Sequence, residues 1–106
     1  MTKNEFIKVI TSIQNLNKTI NQLLKIGVII TNSPIYDSMS FLSDYIFKKE
    51  YGEEGLGWVN WFLYDLPEIK RHSNDKCHAY DSNGIPIILN TITDLYNFLE
   101  GNYKNG

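Results

Sequence analysis

The residues with the strongest metal-ligand chemistry lie close together between positions 72 and 78. His72, Asp75, Cys77 and His78 have side chains that bind zinc, but their spacing matches no zinc pattern and a second cysteine pair is missing. Residues 77 and 78 are expected on a strand, where adjacent side chains point to opposite faces. We therefore expect no metal site here and no bound cofactor.

Three other groupings have residue types found in catalytic or phosphate-binding sites. Cys77 beside His78 would need an activating environment, and a lone cysteine on a strand is typically a small core residue. Glu53 and Glu54 are adjacent, so on a helix they diverge by about 100° and form a poor acid–base pair. The glycines within 52–57 lack the lysine and hydroxyl residue of a phosphate-binding loop. We expect a protein that is not an enzyme.

Aromatic residues are concentrated in one predicted helix. Trp58, Trp61 and Tyr64 follow one another in steps of three, and Phe62 lies beside that row. Such side chains are typical of small cores and also of binding hot spots. A core position is favoured for Trp61 and Phe62, whereas Trp58 and Tyr64 are candidates for a partner-binding rim. Four acidic residues complete the predicted partner-binding set: Asp44, Glu50, Glu53 and Glu54.

These residues must be positioned by the elements of a single domain, residues 1–106, which we predict to be α+β and mainly helical. Thr2 and Glu5 have capping-box spacing, and the apolar residues that follow recur in alternating steps of three and four up to Gly27. This pattern predicts a long N-terminal helix whose apolar seam consists of Phe6, Val9, Ile13, Leu16, Ile20 and Leu23. The seam is expected to pack within the chain, and pairing with a second copy is the alternative.

Two central helices are predicted next. Apolar spacing favours one over about 35–50, ending near Gly52, and the aromatic helix after it is expected to end at Leu66-Pro67. The polar residues 68–76 are expected to form an exposed loop.

A β-hairpin and a short C-terminal helix complete the expected fold. Segments 77–80 and 85–89 flank Asn83-Gly84, a pair that favours the positive φ angles of a tight turn. Pro86 places its strand at a sheet edge. Asn90 or Thr91 is expected to cap the last helix. Its inward residues are predicted to be Ile92, Leu95, Tyr96 and Leu99.

Charge is unevenly distributed along the 106 residues, whose formal net charge is −2. Residues 1–26 carry four lysines against one glutamate, whereas residues 37–68 carry seven carboxylates against two lysines. No basic stripe supports nucleic-acid binding, and no apolar run is long enough to span a bilayer. The acidic segment is either a solvated face or a surface for a basic partner. The single cysteine and the absence of a secretory signal indicate the cytosol.

The central segment resembles a signature of small phage and mobile-element proteins of unknown function. The residues Tyr51-Gly-Glu-Glu-Gly and Gly-Trp-Val-Asn-Trp-Phe-Leu-Tyr (57–64) are similar to that family's YGxEG turn and W-x-x-WF helix. Asp81, Asn83-Gly84 and Pro86-Ile87 match its hairpin, and 95–99 its final helix. The chain departs from the pattern at Asp65, usually Glu, and at Gly57, often Asp. The resemblance covers about 35–100.

This resemblance implies a phage or prophage setting and supplies no activity. Small phage accessory proteins commonly bind and inhibit host machinery. Together with the acidic segment, the resemblance predicts a non-catalytic binding protein that inhibits or redirects a host protein or protein complex in the host cytosol. An anti-defence role, such as inhibition of a CRISPR complex, is the specific hypothesis. The alternative is a virion or assembly accessory protein that self-associates as a homodimer through the N-terminal helix.

Overall fold

The computed structural model describes residues 1–31, 38, 40–72, 78–81 and 83–104, and for His78 the backbone alone. These residues form an α+β, mainly helical architecture, as predicted. In chain order the elements are α1 (Lys3–Lys25), π1 (Asp44–Lys48), α2 (Lys49–Asn60), π2 (Trp61–Asp65), α3 (Leu66–His72), β1 (His78–Tyr80), β2 (Pro86–Ile88) and α4 (Ile92–Asn102). Helices long and apolar enough to cross a membrane are absent from this described part.

Helix α1 begins and ends at the residues that its sequence signals predict. The Thr2 hydroxyl accepts the Glu5 N–H at 3.1 Å, and the Glu5 carboxylate accepts the Thr2 N–H at 2.8 Å, which completes the capping box. Gly27, just past the C-cap, has a φ of 79°. The seam packs within the chain, as favoured, although Leu16 stays 46% exposed. The buried residues of α1 are Phe6, Ile10, Ile13 and Ile20.

The two central helices are divided at Gly52, as predicted. Its φ of 75° and ψ of −177° belong to a region that is essentially restricted to glycine. Residues 40–50 are helical within the predicted 35–50 helix, whereas 32–37 and 39 lie outside the described residues.

The prediction that the aromatic helix ends at Leu66-Pro67 was wrong. The chain remains helical through π2 and α3 to His72, so the first five residues of the predicted loop 68–76 are helical. In π2 the Leu66 N–H donates to the Trp61 carbonyl, five residues back. Pro67 then falls in the first turn of α3, where a missing N–H is tolerated. Residues 73–76 lie outside the described residues.

The hairpin forms at the predicted place. Strands β1 and β2 are antiparallel, with Ala79 opposite Ile87 and Tyr80 opposite Pro86. The Asp81 carboxylate accepts the N–H groups of Asn83 at 2.8 Å and Ile85 at 2.9 Å, which fixes the turn. The expected positive φ occurs at Gly84 (78°) and not at Asn83, so the turn is wider than an Asn-Gly pair alone would form.

Helix α4 packs its apolar face against α1 and α2. Thr91 is its N-cap and forms a reciprocal capping box with Asp94. Leu95, Phe98 and Leu99 are buried, whereas Ile92 and Tyr96, also predicted to face inward, are partly exposed. Phe98 was not among the predicted inward residues.

Phe6 is the point at which the packed helices meet. Its ring makes edge-to-face contacts with Phe47 at 5.6 Å, Tyr51 at 6.3 Å and Tyr96 at 5.2 Å between centroids. Aromatic pairs in this geometry contribute about 0.5–1.5 kcal/mol beyond the burial of their area. One residue of α1 therefore joins the middle of the chain to α4.

A second junction, between α2 and the end of α4, depends on Gly55. A Cβ at this buried position would collide with the Cβ of Tyr51 and would lie 3.3 Å from that of Tyr103. Beside it, the Tyr51 hydroxyl donates to Glu100 at 3.0 Å, and Lys104 pairs with the same carboxylate at 3.0 Å. Burial raises the pKa of Tyr51, and the bond to Glu100 raises it further. The close approach at Gly55 brings Tyr103 to α2.

Candidate partner-binding face

Aromatic and acidic side chains converge on one side of α2 and π2. They line a shallow concavity of about 430 Å³, with Gly57 at its surface. Trp58, Trp61 and Tyr103 are partly exposed, and Glu54 and Asp65 are exposed. We call this surface the aromatic–acidic face and define it as Glu54, Trp58, Trp61, Asp65 and Tyr103.

The aromatic rings of this face are held in place by one another. The Trp58 Nε1–H donates to the Tyr103 hydroxyl at 3.2 Å. Trp58 also makes edge-to-face contacts with Trp61, at 5.6 Å and 81°, and with Phe98, at 5.5 Å and 90°. Phe98 contacts Tyr103 in turn at 5.6 Å. Because the rings are already fixed, their side chains would lose little conformational entropy when a partner binds.

The π-helical turn decides which residue follows Trp61 on the face. In an uninterrupted α-helix the row of Trp58 and Trp61 would continue to Tyr64, as the sequence suggested. A turn closed by bonds five residues apart contains an extra residue, so the position four residues after Trp61 lies in line with it. Asp65 therefore lines the concavity, and Tyr64 does not.

The charged side chains that line the aromatic–acidic face are all negative. No lysine or arginine of the described chain lines the concavity. Glu54 and Asp65 form no ion pair with a described residue. Two exposed carboxylates beside partly exposed indole rings can attract a cation both by charge and by the negative potential of the ring faces.

Of the six predicted partner-binding residues, the structure brings Glu54 and Trp58 together on this face. Glu50, Glu53 and Asp44 do not line it. The Glu50 carboxylate accepts a hydrogen bond from the Met1 α-ammonium at 2.7 Å, and this bond raises the pKa of that ammonium. Glu50 is thus engaged within the molecule, and its side chain is 26% exposed. Glu53 pairs with Lys48 at 3.2 Å. Asp44 is exposed on π1.

Tyr64, the sixth predicted residue, lies in a different cleft. It lines a space of about 500 Å³ between α1 and α3, together with Asn17, Asn21 and Arg71. The two predicted aromatic rim residues therefore belong to separate surfaces.

Three residues of the face were not predicted as binding residues. Trp61 had been assigned to the core with Phe62, and of the two only Phe62 is buried. Asp65 lies four residues after Trp61, but the sequence did not indicate the π-helical turn that puts it in line with the tryptophans. Tyr103 carried no sequence signal, because its place depends on the tertiary contact at Gly55 and not on local sequence.

The four residues considered above as zinc ligands lie mostly outside the described residues. Asp75 and Cys77 are among those not described, and His72 is exposed at the end of α3. Within the described residues no three His, Cys, Asp or Glu side chains are grouped so that they could hold a metal ion.

Comparison with known proteins gives no relative: no protein-family model, curated protein or solved structure matches the chain. The resemblance to phage and mobile-element proteins therefore stays a prediction. Function has to be argued from the aromatic–acidic face itself.

Proposed function

We propose that this protein is a non-catalytic binding protein that docks on another protein through the aromatic–acidic face. One observation carries the proposal: two tryptophans stay partly exposed between carboxylates that no described cation neutralises. Tryptophan is strongly enriched among the residues that dominate binding energy at interfaces. A positively charged protein surface would neutralise Glu54 and Asp65 and would cover both indole rings.

The biological setting of the proposal rests on the sequence resemblance. We propose that the partner is a host protein or protein complex, met in the host cytosol and inhibited or redirected by binding. An anti-defence role such as inhibition of a CRISPR complex belongs to the same proposal. Complexes that hold nucleic acid present basic surfaces, and the acidic face complements these in charge.

The test is affinity capture from the lysate of a bacterial host, with matched charge variants. Wild type is compared with Glu54→Lys/Asp65→Lys and with the control Asp44→Lys/Glu68→Lys, which changes the net charge equally. Glu68 makes only exposed ion pairs, whose loss costs little stability. We expect a stoichiometric protein that the wild type and the control retain and the face variant loses. Loss with the control alone would move the binding surface to the surroundings of Asp44 or of Glu68, which the two single variants would then distinguish.

Self-association is the second candidate, and a separate apolar surface favours it. Val9, Ile13, Leu42 and Ile46 line a groove of about 260 Å³ between α1 and the helix that contains π1. Phe41 beside it is 73% exposed. A virion or assembly accessory protein would be expected to cover such a surface with a second copy.

Burial of the α1 seam determines which variants can test self-association. Ile13 and Ile20 of the α1 seam are buried within the chain, so charged residues there would unfold the protein rather than separate two copies. Leu16→Glu and Leu42→Glu alter exposed positions instead. Light scattering at tens of micromolar would show a dimer that these variants dissociate, and a wild-type monomer would rule the candidate out.

A further inference from the structure

We infer that the aromatic–acidic face takes two arginine side chains from one basic protein segment, one arginine at each tryptophan. The inference rests on the proposed function, because it names the chemistry of the partner that this same face would bind. It depends on the order in which acids and tryptophans occur along the helix.

The face consists of two half-sites with the same composition. Glu54 precedes Trp58 by four residues, and Asp65 follows Trp61 by four residues. Positions four apart are neighbours on a helix surface, with Cβ atoms about 6 Å apart. The two tryptophans meet in the middle at 5.6 Å between ring centroids. From this spacing we expect each ring to have one carboxylate beside it, on the side away from the other ring.

One cation cannot serve both carboxylates. Asp65 lies eleven positions after Glu54, which puts their backbones about 16 Å apart along a helix at 1.5 Å per residue. The partner must therefore supply two cationic groups. In an extended segment, at about 3.3 Å per residue, side chains two or four positions apart share one face and are about 7–13 Å apart, which falls between the ring separation and the backbone separation of the two acids.

Arginine fits this chemistry better than lysine. A guanidinium group is planar and weakly hydrated, so it can stack on an indole face and form two parallel hydrogen bonds to a carboxylate. The lysine ammonium is a strongly hydrated point charge that pairs with carboxylates without stacking. The concavity is shallow and open beside Gly57, where nothing lies within 4 Å of an added Cβ. A partner's side chain can therefore approach the two tryptophans beside Gly57.

Tryptophan fluorescence reports on this face directly, because Trp58 and Trp61 are both of the chain's tryptophans. The probes are blocked peptides with two arginines separated by three serine or glycine residues. Matched peptides carry two lysines, two citrullines or one arginine. We expect a saturable change with the two-arginine peptide, binding weaker by about threefold or more with two lysines, and no binding with citrulline.

Two conservative variants separate the half-sites. Glu54→Gln and Asp65→Asn should each reduce the affinity for the two-arginine peptide to that of the one-arginine peptide. The double variant should show no saturable change. Both side chains are exposed and form no ion pair with a described residue, so the thermal unfolding midpoint should stay at the wild-type value and confirm that the variants are folded.

Several outcomes would overturn the inference. Equal affinity for the lysine and arginine peptides would mean that the face selects charge alone, and binding that persists in the double variant would mean apolar contact. No saturable change with any peptide would also overturn it. In that case, capture of a partner that Glu54→Lys/Asp65→Lys abolishes would leave the proposed function standing, and capture that survives this variant would remove both.

Discussion

The close approach of α4 to α2 at Gly55 gives the sharpest prediction about what builds the aromatic–acidic face. A methyl group added at Gly55 would collide with the Cβ of Tyr51 and press on the Cβ of Tyr103, 3.3 Å away. Both obstructing atoms are attached directly to the backbone, so neither can rotate aside. Gly55→Ala should therefore distort α2 between Tyr51 and Gly55 and shift Tyr103, at the end of α4, slightly away from α2.

The change in unfolding free energy expected for Gly55→Ala is the sum of two opposing effects. Overpacking a filled site by one methyl group costs about 1–3 kcal/mol, and rigid neighbours place the cost near the upper value. Replacing glycine by alanine within a helix returns about 1 kcal/mol. The net loss in unfolding free energy should be about 2 kcal/mol, which is roughly 10 °C in melting temperature for a domain of this size.

The assay is urea unfolding followed by circular dichroism, with Gly57→Ala as the matched control. Gly57 lies in the same helix, is exposed, and has nothing within 4 Å of an added Cβ. This control should gain up to about 1 kcal/mol from helix propensity alone. If Gly55→Ala is as stable as the control, α2 and α4 do not approach as described, and the placement of Tyr103 beside Trp58 loses its basis.

Three further predictions concern single side chains. Gly52→Ala should cost about 1–3 kcal/mol in urea unfolding, because alanine would be forced into a backbone region essentially restricted to glycine. Burial raises the pKa of Glu100, but hydrogen bonds, the largest from Lys104, outweigh it and leave the pKa below its ordinary 4.5. The stability from Glu100 is therefore present above pH 4.5 and is lost as the pH falls through the folded-state pKa, so Glu100→Gln should flatten the acid side of a melting-temperature profile. Tyr103→Phe should keep the ring contacts, cost about 1 kcal/mol by removing the acceptor of the Trp58 N–H, and shift the tryptophan emission maximum.

The parts of the fold that sequence predicted correctly are those set by short-range signals. The capping boxes at Thr2 and Thr91 fix the starts of α1 and α4 through hydrogen bonds that span three residues. Gly52 and Gly84 have the positive φ angles at which the chain turns. These features depend on a few neighbouring residues, so the sequence alone contains them.

Only part of the candidate site could be predicted from the sequence. The other part depends on the π-helical turn and on contacts between residues far apart in the chain. An i→i+5 turn at Trp61–Asp65 has no reliable sequence signal, yet it places Asp65 on the face and Tyr64 in another cleft. Trp61 was assigned to the core because large aromatics usually fill small cores. Its partial exposure follows from how α2 packs on α4, and Tyr103 reaches the site through the same contact.

The acidic residues show why charge on a sequence does not by itself define a binding surface. Glu50 and Glu53 belong to the same acidic segment as Glu54, but one is engaged by the Met1 ammonium and the other by Lys48. Asp65 lies eleven residues beyond Glu54 and shares its face. Helix geometry and local ion pairs, rather than proximity in sequence, select the carboxylates that are available to a partner.

Hydroxyl-radical footprinting tests the central claim most directly, with oxidation of individual side chains measured by mass spectrometry before and after the captured partner binds. We expect oxidation of Trp58 and Trp61 to fall in the complex. Phe41 and Tyr45 are 73% and 74% exposed and do not line the aromatic–acidic face, so they should be oxidised to the same extent in both states and serve as internal controls. Protection of Phe41 and Tyr45 with unchanged oxidation of the two tryptophans would rule out docking through the aromatic–acidic face and place the interface on the helix that contains π1.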